Sequence, residues 1–259
     1  MHKARKKFGQ NFLTDQYILE RIIKTINPKP GQRILEIGPG QGAMTGLVLR
    51  HTAKMEAVEI DYDLIEMLKS LYPTLTLYPC DILRFEFSRL NAQAESLRII
   101  GNLPYNISSP ILFLLLDNIT LIKDMHLMLQ KEVVDRMVAK PGTKIYGRLS
   151  VMLQPFFEIH RMFNIAPSAF SPPPKVDSSF VRMLPKTTQG TEIANRQHYE
   201  QLVRAAFSQR RKTLRNTLKG LLDSDTISSI DIDPQLRPET LSIEQFIALS
   251  NCYTQLQIL

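Results

Sequence analysis

The chain reads as an α/β protein: a doubly wound, mostly parallel sheet followed by a small all-helical carboxyl-terminal domain. Three observations predict this. Short apolar runs alternate with amphipathic stretches over the first two thirds of the sequence. The first run opens into a turn with Gly38, Gly40 and Gly42 at alternate positions, where a strand gives way to a helix. After Pro185 the strand pattern stops, and a polar stretch, "KTTQGTEIANRQ", leads into sequence with helical spacing alone.

Taken in order, "RILEIG" (33–38), "KMEAVEID" (54–61), "LTLYPCD" (75–81), "LRIIGNLP" (97–104) and "DMHLMLQ" (124–130) are too short for ordinary helices and read as buried strands. Between and after them, 43–51, 62–70, 108–117 and 131–139 carry helical spacing. Parallel strands need such crossovers, and the connecting loops that hold ligands then gather at the carboxyl ends of the strands. "IYGRLSVMLQPFFEI" (145–159) reads as a further helix, and "HRMFNIA" (160–166) with "SSFVRMLP" (178–185) as a closing strand pair around "PSAFSPPPKVD". One long helical pattern, "HYEQLVRAAFSQRRKTLRNTLKGLL" (198–222), opens the last region, so the domain boundary is placed near residue 188, giving domains 1–188 and 189–259. No internal repeat is visible.

Composition narrows the function classes. With 259 residues, 44% hydrophobic and 22% charged, the chain is globular, long enough for a sizeable core and a small second domain. Cys80 and Cys252 are too few for a disulfide framework and lack C-x-x-C spacing. His2, His51, His126, His160 and His198 show no pairing at three or four residues, so no metal is expected. The start, "MHKARKKFGQNF", is charged where a signal peptide is apolar, and no run of 18 apolar residues occurs. A cytoplasmic protein without membrane contact is expected. Lys and Arg outnumber Asp and Glu by 32 to 25, a net +7 that favours an anionic partner such as nucleic acid.

The glycine turn alone does not identify a ligand, since G-x-G-x-x-A ending at Ala43 also passes the dinucleotide fingerprint. Its flanks say more. Glu36, two residues before the first glycine, would repel a pyrophosphate and suits a cationic ligand. Glu59, ending the second strand, is placed to accept from two ribose hydroxyls, and Asp81, ending the third, from an adenine amino group. Ile60 and Ile82, directly after two of these acids, are counted among the cofactor contacts. Three acids around a glycine loop suit S-adenosylmethionine, with its ribose, adenine and sulfonium; the plain alternative is three solvated strand-end acids.

The fourth strand delivers "NLPY" to the same edge. Asn102 offers an amide oxygen, and Pro104 keeps Leu103 out of the helical region, so that the Leu103 carbonyl can face the cleft. Two adjacent acceptors match the two hydrogens of an exocyclic amine. Holding both favours a tetrahedral nitrogen whose lone pair can reach a methyl donor. Tyr105 would stack on the ring. The plain alternative is a strand-to-helix turn that Asn102 caps, Pro104 stiffens and Tyr105 packs.

"KKFGQNFL", "EIGPGQGAMT", "GNLPYNISSPIL" and "FSPPPKVDSS", in this order and spacing, resemble the ribosomal RNA adenine N6-dimethyltransferase family, most closely its small-subunit branch. The resemblance spans nearly the whole chain. It implies a Rossmann-like class I methyltransferase domain with a small helical carboxyl-terminal domain, using S-adenosylmethionine to dimethylate two adjacent adenines of 16S ribosomal RNA in the immature 30S particle. On matching positions, Asn11, Leu13, Gly38, Glu59, Asp81 and Asn102 would contact the cofactor. Leu103 and Tyr105 would join Asn102 at the adenine, and Phe170 would stack from the opposite side. A large-subunit enzyme, a DNA-adenine or glutamine methyltransferase, and a non-catalytic assembly or transcription factor of the same fold are the rivals. A DNA-adenine or glutamine methyltransferase usually has a second proline where this chain has Leu103.

Two basic clusters would hold the RNA. Lys3, Arg5, Lys6 and Lys7 precede "QNFL", and Arg204, Arg210, Arg211, Lys212, Arg215 and Lys219 follow one another without an acid. On a continuous helix Arg204, Arg211 and Arg215 would share a face. Such runs are also common as solvated faces. Monomer is the default state.

Overall fold

The structure is a computed structural model and describes residues 5, 9–186, 192–209 and 211–258. Among these residues the main sheet has seven strands, in the order β4-β3-β2-β5-β6-β9-β7: β2 (Arg33–Ile37), β3 (Met55–Glu59), β4 (Leu75–Pro79), β5 (Leu97–Asn102), β6 (Ile122–Gln130), β7 (Phe157–Ile165) and β9 (Ser178–Pro185). A separate short pair joins β1 (Phe12–Leu13) to β8 (Phe170–Ser171). Strands β2 to β6 pair in parallel and β9 runs antiparallel to β6. Chain order reverses at β2, which lies between β3 and β5, so a crevice opens there beyond the strand ends.

The crossovers are α2 (Ala43–Leu49), α3 (Tyr62–Leu71) and α4 (Ser108–Asp117), all as the spacing predicts within two residues at their ends. A helix not foreseen, α1 (Gln16–Ile26), precedes β2. Asp15 caps it by accepting from the Ile18 amide at 3.0 Å, and Leu19, Ile22, Ile23 and Ile26 form its buried stripe. Asn27, left-handed at φ 48°, ends it. A buried ion pair holds that end to the sheet. Arg98 donates to both Asp124 oxygens at 2.8 and 2.9 Å, and also to Gln32 and to the Ile26 carbonyl, each at 2.7 Å.

By contacts the chain divides into two compact units, one running to Val134 and including Ile159–Pro185, the other comprising Asp135–Glu158 and Lys186 onward. This differs from a single cut at 188, because residues 135–158 belong with the second unit. There Tyr199 is buried and donates to the Val151 carbonyl at 2.9 Å, and Gln154 donates to the carbonyls of Met137 and Ala139. The second unit holds α6 (Arg148–Leu153), which follows α5 (Lys131–Met137), and then α7 (Arg196–Ala206), α8 (Leu214–Thr217), α9 (Ser224–Ser228) and α10 (Ile243–Leu256).

Two expected helices are shorter than their patterns. The 145–159 stretch is helical only over α6, because Pro155 cannot continue a helix and Phe157 already starts β7. The 198–222 pattern breaks between Ala206 and Leu214. The first-turn amides of α8 are taken by other carbonyls, Leu214 donating to Leu236 and Arg215 to Pro234 at 2.9 Å each, which a continuous helix would not permit.

Candidate active site

Beyond the carboxyl ends of β2 to β5 lies a cavity of about 300 Å³ in the first unit, lined by the loops that follow these strands and by residues 9–13. The glycine turn shapes its floor, but the three glycines do different work. Gly38, at φ 65°, has nothing within 4 Å of where a Cβ would stand, so a ligand can approach its backbone. Gly40 is needed for another reason: a Cβ there would stand 3.0 Å from the Phe12 ring. Gly42, expected at the cofactor, does not line the cavity; it packs on Tyr72, whose ring a Cβ would meet at 2.6 Å.

Glu36 is fully buried at the end of β2 and lines the cavity. One carboxylate oxygen accepts from the Thr45 hydroxyl at 2.6 Å, and the other, Oε1, has no hydrogen-bond partner among the described residues. Burial pushes its carboxyl up to about 7, against the Thr45 hydrogen bond and helped by nearby Glu59. A cation placed beside Oε1 would relieve this cost.

Glu59 is held by the backbone. Its Oε1 accepts from the amides of Ile60 and Asp61 at 2.8 and 2.9 Å, and its Oε2 from Gly40 at 3.2 Å. Burial raises its carboxyl above the ordinary range, with these three amides opposing. Of roughly four acceptor positions on a carboxylate, one is left for a ligand. One ribose hydroxyl fits; a second must displace the long Gly40 contact. Asp81 lines the cavity and uses Oδ1 to accept from the Leu83 amide at 2.9 Å, which leaves Oδ2 for a ligand donor. Ile60, 40% exposed, and buried Ile82 form apolar lining beside these acids.

At the end of β5 the Asn102 amide nitrogen donates to the Asn11 carbonyl at 2.8 Å. Only an NH2 group can face a carbonyl, so the amide orientation follows from this contact and Oδ1 is its other end. Leu103 is buried, and its amide donates to Met128 at 3.1 Å; among the described residues nothing donates to its carbonyl. Both line the cavity with Pro104 and Tyr105. The Tyr105 ring is fixed at its far end by a 2.6 Å hydrogen bond with Ser178, and burial raises its phenol above the ordinary value.

Asn11 and Leu13 also line the cavity. Phe170 does not. It pairs with Leu13 across β1 and β8 and is 4% exposed, in a core with Leu19, Phe163 and Phe180, so stacking on a target base from the opposite side requires it to leave that core. Arg5, expected on RNA, is instead paired with Asp61 and Asp63. Lys3, Lys6, Lys7 and Arg210 lie outside the described residues. Arg204 is in the last turn of α7, Arg211 and Lys212 lie in the following turn, and Arg215 is on α8; all four are exposed but share no single helix face. Gln10, Thr45, Asp61 and Ser178 were missed. A short polar side chain two residues after a strand-end acid reads as a helix cap, which Asp61 also is, accepting from the Asp63 amide at 3.2 Å. Among the described residues no group of three or more His, Cys, Asp or Glu could hold a metal ion.

The family model described as ribosomal RNA adenine dimethylase matches residues 1–255. The chain belongs to this family. Like this dimethylase-family chain, a protein of Marinomonas sp. strain MWYL1 named ribosomal RNA small subunit methyltransferase A extends over nearly the same length; the two are 50% identical over 253 residues, 96% of this chain and 95% of the relative. Among solved structures, a dimethyladenosine transferase from Plasmodium falciparum superposes with a TM-score of 0.81 at 28% identity, covering 94% of this chain and 98% of that one. The 23S rRNA methyltransferase ErmE superposes at 0.70 and 25% identity, covering 95% and 100%. The adenine dimethylase family thus accounts for residues 1–255, and its fold is the α/β Rossmann-like fold of class I methyltransferases.

Proposed function

We propose that the protein transfers methyl groups from S-adenosylmethionine to N6 of two adjacent adenines in 16S ribosomal RNA, acting as a cytoplasmic monomer on the immature small subunit. The observation that carries this reading is the pair of acceptors at the cavity edge: the oriented Asn102 amide and the unengaged Leu103 carbonyl. The family and the similarity to a named small-subunit methyltransferase support the choice of substrate.

Glu36, Glu59 and Asp81 match the ammonium and sulfonium charge, a ribose hydroxyl and the adenine amine of the cofactor, with Gly38 giving its backbone room. When bound, the cofactor supplies an electrophilic methyl group. Asn102 Oδ1 and the Leu103 carbonyl would hold the two N–H bonds of the target amine and draw its lone pair out of the purine ring. Tyr105, braced by Ser178, would fix the plane of the base. The lone pair so exposed would take the methyl group that the bound cofactor supplies, and the N6 proton displaced would pass to solvent. After the first transfer a single N–H remains for two acceptors, so the second requires the cleft to take a methyl where a hydrogen stood.

The base must be out of any duplex, at a cost of about a few kcal/mol. Exposed Arg204, Arg211, Lys212 and Arg215 are the candidates for the phosphate contacts that offset it. Incubation of the purified chain with labelled methyl donor and immature small subunits, followed by digestion to nucleosides, should yield dimethyladenosine from small-subunit RNA. Label in large-subunit RNA alone, or in DNA, overturns the assignment.

A further inference from the structure

The segment around residues 9–13 is tied down at both ends, and the catalytic amide hangs from its middle. On its carboxyl side Leu13 pairs with Phe170, and the Thr14 amide donates to Ala169 at 2.9 Å. Phe12 lies against Gly40 of the glycine turn. On its amino side everything converges on one carboxylate. Gln10 donates through Nε2 to Asp61 Oδ2 at 3.0 Å, Arg5 donates through Nη1 to Asp61 Oδ1 at 2.9 Å, and the Arg5 amide closes the loop on Gln10 Oε1 at 2.7 Å. Asp61 is 0% exposed, and its own amide donates to Glu59 at 2.9 Å. Asn11, between the two moorings, presents the carbonyl that takes the Asn102 NH2.

We propose that Asp61 is a positioning residue for methyl transfer: it moors the strap whose Asn11 carbonyl fixes the Asn102 amide with its oxygen toward the target amine. The inference rests on the adenine-N6 reading above. Without that anchor the Asn102 amide can turn over, and its NH2 then meets the NH2 of the substrate, donor against donor. A misplacement of about 1 Å in such a constellation costs up to about a hundredfold in rate. Glu36 and Asp81 make no hydrogen bond to the Asp61 side chain, and Glu59, whose carboxyl the Asp61 charge only helps to raise, is held by three backbone amides, so the loss should fall more on the chemical step than on cofactor affinity.

The test uses Asp61→Asn and Gln10→Ala in the full chain, the second on a part-exposed strap residue in case the buried first does not fold. Three readouts are compared with wild type: single-turnover methyl transfer to immature small subunits, equilibrium cofactor binding, and hydrogen exchange over residues 9–13. Each variant should slow transfer about tenfold or more, change the cofactor Kd less than about threefold, and speed exchange of the strap. The double variant should be no slower than Asp61→Asn alone, since both act through one mooring. With an active wild type, an unchanged rate in Gln10→Ala, a rate loss matched by lost cofactor affinity, or effects that multiply in the double variant overturn this inference alone. A wild type that transfers no methyl to small-subunit RNA overturns the functional reading and the inference with it.

Discussion

Glu36→Gln should make the ligand-free protein more stable than wild type at neutral pH, by an amount that grows with pH. Burial outweighs the Thr45 hydrogen bond and moves the Glu36 carboxyl from 4.5 to about 7. Between those values the folded protein keeps a proton that the unfolded chain has released. The contribution of this group is therefore full below pH 4.5 and is lost as pH rises through 7. At about 1.4 kcal/mol per pH unit, roughly 2 kcal/mol disappears between pH 5.5 and 8. Glutamine can still accept from Thr45 and cannot ionise, so its advantage over wild type should widen by that amount. His126 works in the opposite sense: burial lowers its pKa to about 4, against the attraction of Asp124, so its stability is complete above 6.5 and is lost as pH falls through 4. It is common to both proteins and cancels in the difference. Urea unfolding of the two proteins at pH 5.5 and 8, followed by circular dichroism, gives the comparison. A difference that stays flat or shrinks with pH would refute the reasoning, because Glu36 would then ionise as an ordinary carboxyl.

Three further outcomes follow from the same structure. A cationic ligand beside Oε1 favours ionised Glu36, so affinity for S-adenosylmethionine should rise about tenfold from pH 6 to 8 in wild type and stay flat in Glu36→Gln, as read by calorimetry. Arg98→Met leaves the Asp124 carboxylate buried without its partner and should cost about 3–5 kcal/mol in urea unfolding, whereas an effect below about 1 kcal/mol would mean that the pair is solvated. If Arg211 and Arg215 contact phosphates, replacing either by Ala should reduce the slope of log binding constant against log salt by about 0.7 to 0.9, with immature small subunits as ligand.

The strands that position the site were readable because each is a short apolar run closed by an acid or by "NLPY", and those closing residues all reach the cavity. Errors arose where one residue type serves two physical ends. Glycine marks a tight turn whether a ligand or a neighbouring ring comes close, so Gly42 against Tyr72 looked like Gly38 against open space. Arginine near an active site looks like a phosphate contact, yet Arg5 is a half-exposed strut on Asp61 and Asp63. Phe170 is flanked by prolines and polar residues in sequence, and only the pairing of β1 with β8 shows that it is covered. Helix ends were misjudged where a pattern ran through a breaker: Pro155 was overridden by the apolar spacing around it, and the gap between α7 and α8 depends on carbonyls of Pro234 and Leu236 that lie about twenty residues further on. In α1 the signal was present, an Asp cap before apolar residues at 19, 22, 23 and 26, and went unread.

The most direct measurement is a crystal structure of the protein with a non-reactive cofactor analogue and an adenosine-containing oligonucleotide. N6 should lie within about 3.2 Å of both Asn102 Oδ1 and the Leu103 carbonyl, with the position of the donor methyl about 3–3.5 Å away on the lone-pair side. An adenine bound with its amine turned from these oxygens, or an Asn102 amide presenting its nitrogen to the base, would contradict the account.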